Sequence, residues 1–301
     1  MFQPGTLRQG VSQILACTVL ALIGLLIPVL LLACGLGITL MMAVLTNRHT
    51  AVHALTVLVL SALLAVWFPG ALDTVMILLQ FGVLGLFYGL CFKNRVAHQK
   101  ILGAGVVMAL LLGGFSLAVA FLVTGQTPGE MTAAGVVTGD HPELFEQVAE
   151  ITALLMPGSF IVSAIIVAWA GFFLTAGILR RLDYLRSPGP EFQRWRLPWP
   201  VIWVLIAGLA LTLVGDQWAV YPLAVAGKNV LFVMVIALLL GGLTLAAYFH
   251  RALSGPRWLK LLVLVGFLVC WPFNLTVLAL AGLVDTWIDC RAWYERRGDK
   301  R

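Results

Sequence analysis

The feature that most constrains this fold is a series of apolar runs, each about as long as a membrane-spanning helix. A helix needs about 20 apolar residues to cross the hydrocarbon core, and runs such as 71–92 and 101–124 hold no more than one charged residue each. Membrane barrels instead use alternating strands of about ten residues. The sequence therefore predicts an all-α fold, a polytopic transmembrane helical bundle.

Composition places almost the whole chain in the membrane. The 301 residues are 61% hydrophobic and only 11% charged, whereas soluble domains carry about 25% charged residues. The net charge of +6 is spread over short loops, as signals of membrane orientation are. This distribution predicts a lipid bilayer as the surroundings and excludes nucleic acid as a partner.

Prolines, glycines and charged loops divide the chain into ten candidate spans. These are 11–27, 29–45, 51–67, 71–92, 101–124, 151–179, 199–214, 228–250, 258–271 and 275–290. The stretches 11–45 and 258–290 are each an apolar run divided by one proline, so each either crosses twice or forms a re-entrant or kinked segment. The prediction is therefore about 8–10 spans.

The positions of the basic residues predict the orientation. With the N-terminus inside and alternating crossings, every one of the 19 Lys and Arg residues except Lys228 lies on the cytoplasmic side. Cytoplasmic loops are enriched in Lys and Arg. An even number of crossings, with both termini cytoplasmic, follows from this bias.

One integral membrane domain over 1–301 is the predicted organisation. It comprises an N-terminal core over about 8–180, a cytoplasmic loop at 180–198, and C-terminal spans over about 199–290. The sixth span follows an acidic outer loop, and Pro157 predicts a kink within it.

The cytoplasmic string "SPGPEFQRWRLPWP" at 187–200 is the most distinctive loop. Its prolines exclude a continuous helix. Trp195 and Trp199 suit the membrane interface, and Arg194 and Arg196 suit anionic headgroups. Two interpretations are open: an interfacial anchor that sets the entry angle of the next span, or a docking loop for a cytoplasmic partner.

The string "GLVDTWIDCR" ends the last apolar run. Asp285 and Asp289 are four residues apart, so a helix places both carboxylates on one face. Intramembrane carboxylates are costly and often functional. Either they lie near headgroup depth beside Arg291, or Asp285 turns inward to pair with Arg194 or Arg196 and fixes the 187–200 loop to the last helix.

No catalytic or cofactor-binding constellation is evident. His49 and His53 have the four-residue spacing of a metal pair, but no carboxylate or cysteine lies nearby to complete a site. Motifs of serine hydrolases, zinc proteases and P-loop ATPases are absent. We therefore expect a non-enzyme without metal or cofactor, and any ATPase that drives transport would be a separate partner subunit.

The two strings resemble the signature segments of the YybS-like family of predicted bacterial membrane proteins of unknown function. In the loop the matching residues are Phe192, Arg194, Trp195, Arg196 and Pro198. In the last helix they are Gly282, Asp285, Trp287, Asp289 and Arg291.

This resemblance implies a multi-pass protein of the bacterial plasma (inner) membrane. The family's N-terminal half is similar to the substrate-binding subunits of energy-coupling-factor transporters, which dock on a membrane subunit that carries two ATPases. The expected function is a small-molecule-binding or transport component that works with partner subunits. The alternative is a non-catalytic scaffold of the cell-envelope or division machinery, which needs a partner surface but no cavity.

Overall fold

The computed structural model describes residues 4–125, 142–184, 192–252, 258 and 271–298. All regular elements within these ranges are helical, which confirms the all-α prediction. In chain order they are α1 (Pro4–Leu26), α2 (Leu31–Arg48), α3 (Ala51–Ala65), α4 (Ala71–Lys93), α5 (His98–Thr124), α6 (Pro142–Arg181), α7 (Val201–Gln217), α8 (Tyr221–Ala252), α9 (Trp271–Ile288) and α10 (Cys290–Gly298). Short 3-10 turns occupy Pro28–Leu30 and Phe192–Arg194.

Six helices of the described chain are long and apolar enough to cross a membrane. They lie at Gln9–Leu26, Pro28–Arg48, Ala71–Lys93, His98–Thr124, Glu150–Arg181 and Tyr221–Arg251. Three shorter apolar helices lie at Ala51–Ala65, Val201–Gln217 and Phe273–Ile288. The predicted span 258–271 lies outside the described residues except at its two ends.

The break predicted at Pro28 is present. Pro28 begins a 3-10 turn that separates α1 from α2, because proline has no N–H to continue the helical ladder. Each of the two helices has the length and composition of a full span.

Large apolar side chains cover the outside of the helices. Val29 is 90% exposed, Trp67 86% and Leu122 80%. Contiguous exposed apolar surface is costly in water but favourable against lipid tails. The helices thus fit a protein embedded in a lipid bilayer.

The chain divides into two compact units. Unit 1 comprises Met1–Pro128 and Ser163–Gly189, and unit 2 comprises Gly129–Val162 and Pro190–Arg301. Helix α6 contributes residues to both units. The single domain over 1–301 remains a prediction.

Within unit 1, glycines bring α4 against α2. A Cβ on Gly85 would lie 2.3 Å from the Thr39 carbonyl oxygen, and one on Gly89 would lie 2.7 Å from the Thr46 Cβ. Two glycines four residues apart let helix backbones approach closely. The close approach suggested by the Gly85-x-x-x-Gly89 spacing is therefore confirmed, and Thr39 donates to the Phe81 carbonyl at 2.9 Å across it.

The centre of unit 1 is aromatic. Tyr88 is fully buried, and its hydroxyl donates to the Ala168 carbonyl at 2.8 Å. Phe92 stacks on Phe172 with ring centroids 5.7 Å apart. These contacts fix the C-terminal part of α6 within this unit.

Within unit 2, α8 packs against α7 on one side and α9 on another. A Cβ on Gly215 of α7 would lie 2.3 Å from the Ala224 nitrogen. A Cβ on Gly282 of α9 would lie 2.0 Å from the Leu238 carbonyl oxygen. A side chain at either position would collide with the backbone of α8, so the close approach of the helices requires glycine at both.

The start of α8 differs from the sequence prediction. The predicted span began at Lys228, whereas α8 begins at Tyr221 and includes Lys228 in its third turn. The prediction took the charged residue Lys228 as the point where the loop ends and the span begins. In the structure Lys228 lies within the helix and pairs with Asp216 at 3.1 Å. The turn between α7 and α8 is correspondingly short.

Candidate functional site

The loop that precedes α7 lies along α8 and α9 in a fixed conformation. Phe192–Arg194 form one 3-10 turn. The chain then runs without regular structure to Pro200, the N-cap residue of α7. Thr244 of α8 donates to the Trp195 carbonyl at 3.0 Å. The prolines prevent a helix here, and contacts with α8 and α9 hold the loop instead.

Arg196 joins this loop to the end of α9. Its Nη2 donates to the Asp285 carbonyl at 2.5 Å, and its Nε lies 3.5 Å from the Asp285 Oδ2. Its Nη1 lies 2.5 Å from the Asp289 Oδ2. The predicted contact between loop and last helix is therefore present and is made by Arg196, whereas the side chain of Arg194 lies outside the described residues.

Arg291 completes the cluster from inside. Its side chain is 6% exposed and that of Asp285 is 5% exposed, with Nη2 and Oδ2 3.2 Å apart. It also donates to the Thr244 hydroxyl at 3.0 Å and to the Gln193 carbonyl. We call the four residues Arg196, Asp285, Asp289 and Arg291 the arginine clamp.

The two carboxylates of the clamp also shape the chain between α9 and α10. Asp289 has a φ of 51°, which ends α9, and its Oδ1 accepts from the Ala292 N–H at 3.1 Å as an N-cap of α10. Asp285 Oδ1 accepts from the Cys290 N–H at 3.2 Å. The Asp289 N–H still bonds the Asp285 carbonyl at 3.3 Å, so the four-residue spacing holds through the last turn and both carboxylates lie beside Arg196.

The clamp has two positive and two negative charges, so it is neutral as a whole. Burial lowers the pKa of the Arg291 guanidinium, and the neighbouring Asp285 carboxylate raises it; arginine stays charged throughout the ordinary pH range. Burial raises the pKa of the adjacent Cys290 thiol, and Asp285 raises it further. Only Arg291 and Asp285 are buried, whereas the side chains of Arg196 and Asp289 are 31% and 39% exposed. Breaking the buried pair would leave a charge without compensation.

The remaining signature residues serve packing or remain on the surface. Gly282 allows α9 to touch α8, as described above. Phe192 and Trp195 are half-buried, and Pro198 is exposed. Trp287 is 67% exposed, which suits an interfacial residue.

A second polar site in unit 2 was not predicted from the sequence. Asn229 of α8 is 9% exposed. Its Oδ1 accepts from the Gly158 N–H at 2.6 Å, and its Nδ2 donates to the Leu154 carbonyl at 2.8 Å. In an α-helix the N–H of Gly158 would pair with the carbonyl of Leu154, four residues earlier. We call this N–H and carbonyl pair a rung of α6, and the amide of Asn229 bonds both of its members.

Pro157 lies next to this rung. It has no N–H to bond the Ala153 carbonyl, so the preceding rung of the helix lacks its hydrogen bond. α6 nevertheless continues through Pro157. Gly158 leaves room for the amide, since a Cβ there would lie 2.7 Å from the Asn229 Oδ1.

A cavity of about 270 Å³ lies beside this rung. Its lining includes Leu154 and Val225, whose carbonyls both accept from the Asn229 amide. The charged pair Asp216 and Lys228 also lines the cavity. Oppositely charged and apolar groups therefore face one space, and the apolar side chains provide most of its wall.

The sequence holds a signal for this site. The prediction places Lys228 at the outer end of the span 228–250, so its neighbour Asn229 is not among the predicted intramembrane polar groups. Ionisable residues within a span are functional candidates, and a correct start of α8 would have identified the pair.

His49 and His53 lie together, with ring centroids 4.7 Å apart. His53 Nε2 is 3.2 Å from the Gln13 Oε1. Burial lowers the pKa of His49, and the neighbouring His53 and Arg48 lower it further. Among the described residues no three His, Cys, Asp or Glu side chains form a group that could hold a metal ion.

Comparison with known proteins identifies a family. A family model described as Predicted membrane protein (DUF2232) matches residues 15–286. No curated protein matches the chain, and no solved structure matches it. The YybS-like name and the similarity to energy-coupling-factor subunits remain predictions.

Proposed function

From the premise that the chain belongs to the DUF2232 family of predicted membrane proteins, we propose that it is a small-molecule-binding or transport component that works with partner subunits. The observation that carries this proposal is the cavity lined by Asp216 and Lys228 beside the Asn229 rung of α6. Hydrophobic segments that contain proline or glycine point to the substrate sites of many transporters, and α6 holds Pro157 beside this cavity.

The size and lining of the cavity favour a ligand smaller than a drug molecule. Ligand pockets hold about 300–1,000 Å³ and are mostly apolar with a few polar groups, and this one has about 270 Å³. The chain would bind its ligand without breaking a covalent bond. Energy for uptake would come from a separate ATPase subunit, and the protein itself would be a non-enzyme without cofactor.

A ligand screen on the purified full-length chain tests this function. Thermal stability would be measured in mild detergent against a library of small metabolites, because a ligand that binds only the folded state raises the melting temperature. Val225→Phe enlarges a residue that lines the cavity and should fill part of its volume. Val235→Phe is the control, because Val235 is an exposed residue of the same helix. Binding lost in the first variant and kept in the second supports the proposal, and a screen without any hit contradicts it.

The arginine clamp favours a second candidate function, a scaffold of the cell envelope. The clamp fixes the loop at 192–200, and this loop and the start of α7 present Trp199 and Trp203, which are 55% and 60% exposed. A rigid aromatic surface suits a protein partner. Capture of the tagged chain from native membranes, followed by mass spectrometry, separates the functions: an ATPase pair with a coupling subunit supports transport, and envelope-synthesis or division proteins support the scaffold.

A further inference from the structure

We infer that the cavity beside Asn229 binds a zwitterion, a small group that carries an ammonium and a carboxylate or phosphate a few ångströms apart. This inference rests on the proposed binding function and names the class of ligand. The cavity combines an exposed charged pair with an apolar wall around it.

The charged pair is accessible to a ligand. Lys228 Nζ lies 3.1 Å from the Asp216 Oδ1, and the two side chains are 40% and 53% exposed. Exposed ion pairs contribute little to stability, so a ligand can separate them at small cost. The described structure shows one hydrogen bond between the pair, and the other oxygen of Asp216 and other protons of Lys228 can serve a guest.

The combination of charges selects a zwitterion over singly charged molecules. An anion attracted by Lys228 is repelled by Asp216, and a cation attracted by Asp216 is repelled by Lys228. A zwitterion satisfies both charges at once, because its anionic group meets the lysine and its ammonium meets the aspartate. Charge-assisted hydrogen bonds of this kind are stronger than neutral ones.

The rest of the cavity limits the size of the ligand. Leu154, Ala224 and Val225 form an apolar wall, which suits a short hydrocarbon part. A volume of about 270 Å³ is close to the lower end for ligand pockets. An amino acid or a similar compact zwitterion fits these limits.

Two sources supply this chemistry. One is a water-soluble zwitterion, and the other is the headgroup of phosphatidylethanolamine. Trp218 and Tyr221, each 71% exposed, flank the cavity at the turn between α7 and α8. Exposed Trp and Tyr lie preferentially at headgroup depth, so both sources can reach the site.

The test measures binding to the purified full-length chain with probes of defined charge. Glycine, β-alanine and phosphoethanolamine are the zwitterions, and acetate and ethylamine are the singly charged controls. Dissociation constants come from the rise in melting temperature. We expect the zwitterions to bind at least about tenfold more tightly than the controls, and Asp216→Asn and Lys228→Gln each to weaken zwitterion binding by about tenfold.

A charge-swapped double variant, Asp216→Lys with Lys228→Asp, guards against misfolding of the single variants. It keeps one charge of each sign, so zwitterions should bind it more tightly than they bind either single variant. Nanodiscs of phosphatidylglycerol with and without phosphatidylethanolamine distinguish the sources. Competition by phosphatidylethanolamine identifies the lipid headgroup as the occupant, and its absence identifies the soluble zwitterion.

Two results overturn the inference. One is equal binding of acetate or ethylamine and glycine; the other is unchanged zwitterion binding in both single variants and in the swap. If a neutral metabolite binds in a manner sensitive to Val225→Phe while zwitterions do not, the proposed function stands and the zwitterion assignment fails. If no small molecule binds, both fail.

Discussion

Buried charges give the clearest assignments at the scale of single residues. Arg291 and Asp285 are almost completely buried and face each other. Arg196 donates to the Asp285 carbonyl, and its Nε lies 3.5 Å from the Asp285 carboxylate. Removing one partner of a buried pair costs about 3–5 kcal/mol because a charge remains without compensation. The clamp therefore holds one loop in one place, and its loss should be visible at the neighbouring Cys290.

Arg196→Gln should loosen the chain at Cys290, whose N–H is held by the Asp285 Oδ1, and so increase alkylation of its thiol. In a variant that keeps Cys290 as its only cysteine, we expect maleimide labelling to accelerate about tenfold for each 1.4 kcal/mol by which the clamped state is destabilised. The Arg196 guanidinium lowers the pKa of the Cys290 thiol. Loss of that charge alone would slow labelling, so faster labelling reports opening of the loop.

Arg251→Gln is the matched control for this experiment. Arg251 is an exposed arginine of α8 that contacts the same loop through the Gln193 Oε1 at 3.1 Å, and it lies outside the clamp. Labelling of Cys290 should stay unchanged in this variant. A rate that falls in Arg196→Gln would mean that the loop stays in place without the clamp.

At the scale of helices, close glycine contacts and one side-chain amide bonded to the α6 backbone hold the helices of unit 2 together. Glycines set the shortest approaches, as between Gly282 and the Leu238 carbonyl. Asn229 supplies the donor and acceptor for Gly158 and Leu154. Both devices join neighbouring helices through backbone groups, which a helical pattern of apolar residues does not reveal.

Asn229→Leu should lower the stability of the folded chain by about 1–3 kcal/mol, because the Gly158 N–H and Leu154 carbonyl lose their partner. The double variant Pro157→Ala with Asn229→Leu should recover part of this loss, since alanine supplies an N–H for the Ala153 carbonyl and favours the helix. Thermal unfolding in detergent measures both. Equal instability of the single and double variants would show that the amide does not compensate for the proline.

Gly282→Ala should destabilise the packing of α9 on α8. The added Cβ would lie 2.0 Å from the Leu238 carbonyl oxygen, and overpacking of this kind costs about 1–3 kcal/mol. Gly103→Ala is the control, because nothing lies within 4 Å of a Cβ there and alanine favours a helix. A melting temperature equal to that of the unchanged chain in Gly282→Ala would show that α9 can move away at no cost.

At the scale of the whole molecule, apolar surface and basic loops determine the relation to the membrane. Six helices of the described chain have the length and composition of spans. The exposed basic residues of unit 1 lie at helix ends, as Arg48, Lys93 and Arg180 do. This distribution suits the positive-inside rule, from which we propose an N-in/C-in orientation in a bacterial inner membrane.

Cysteine accessibility in intact cells tests this orientation. In a cysteine-free background, Trp218→Cys at the turn after α7 should react with a membrane-impermeant reagent from outside. Asn94→Cys at the turn after α4 should react only after lysis. Both positions are exposed on the protein surface. A difference in their labelling therefore reports the side of the membrane on which each lies. The reversed pattern would place the termini outside.

The sequence by itself determined the all-α class and the membrane setting. Apolar runs leave few ways to satisfy backbone polar groups in lipid, so helix positions follow from local composition, and Pro28 ended a helix as predicted. The charged residues of the loop and the last helix also predict a contact of Arg194 or Arg196 with Asp285. The sequence does not choose between the two arginines, because the choice depends on the direction that the loop takes along α8.

Only the tertiary structure decided which polar groups share a site. Lys228 and Asp216 pair across two helices, and Asn229 completes a rung of α6, 71 residues from Gly158 in sequence. Apolar periodicity describes how each helix meets lipid and its neighbours, and it carries no information on which distant backbone group a side chain will reach. The cavity exists because those long-range contacts bring α6, α7 and α8 together.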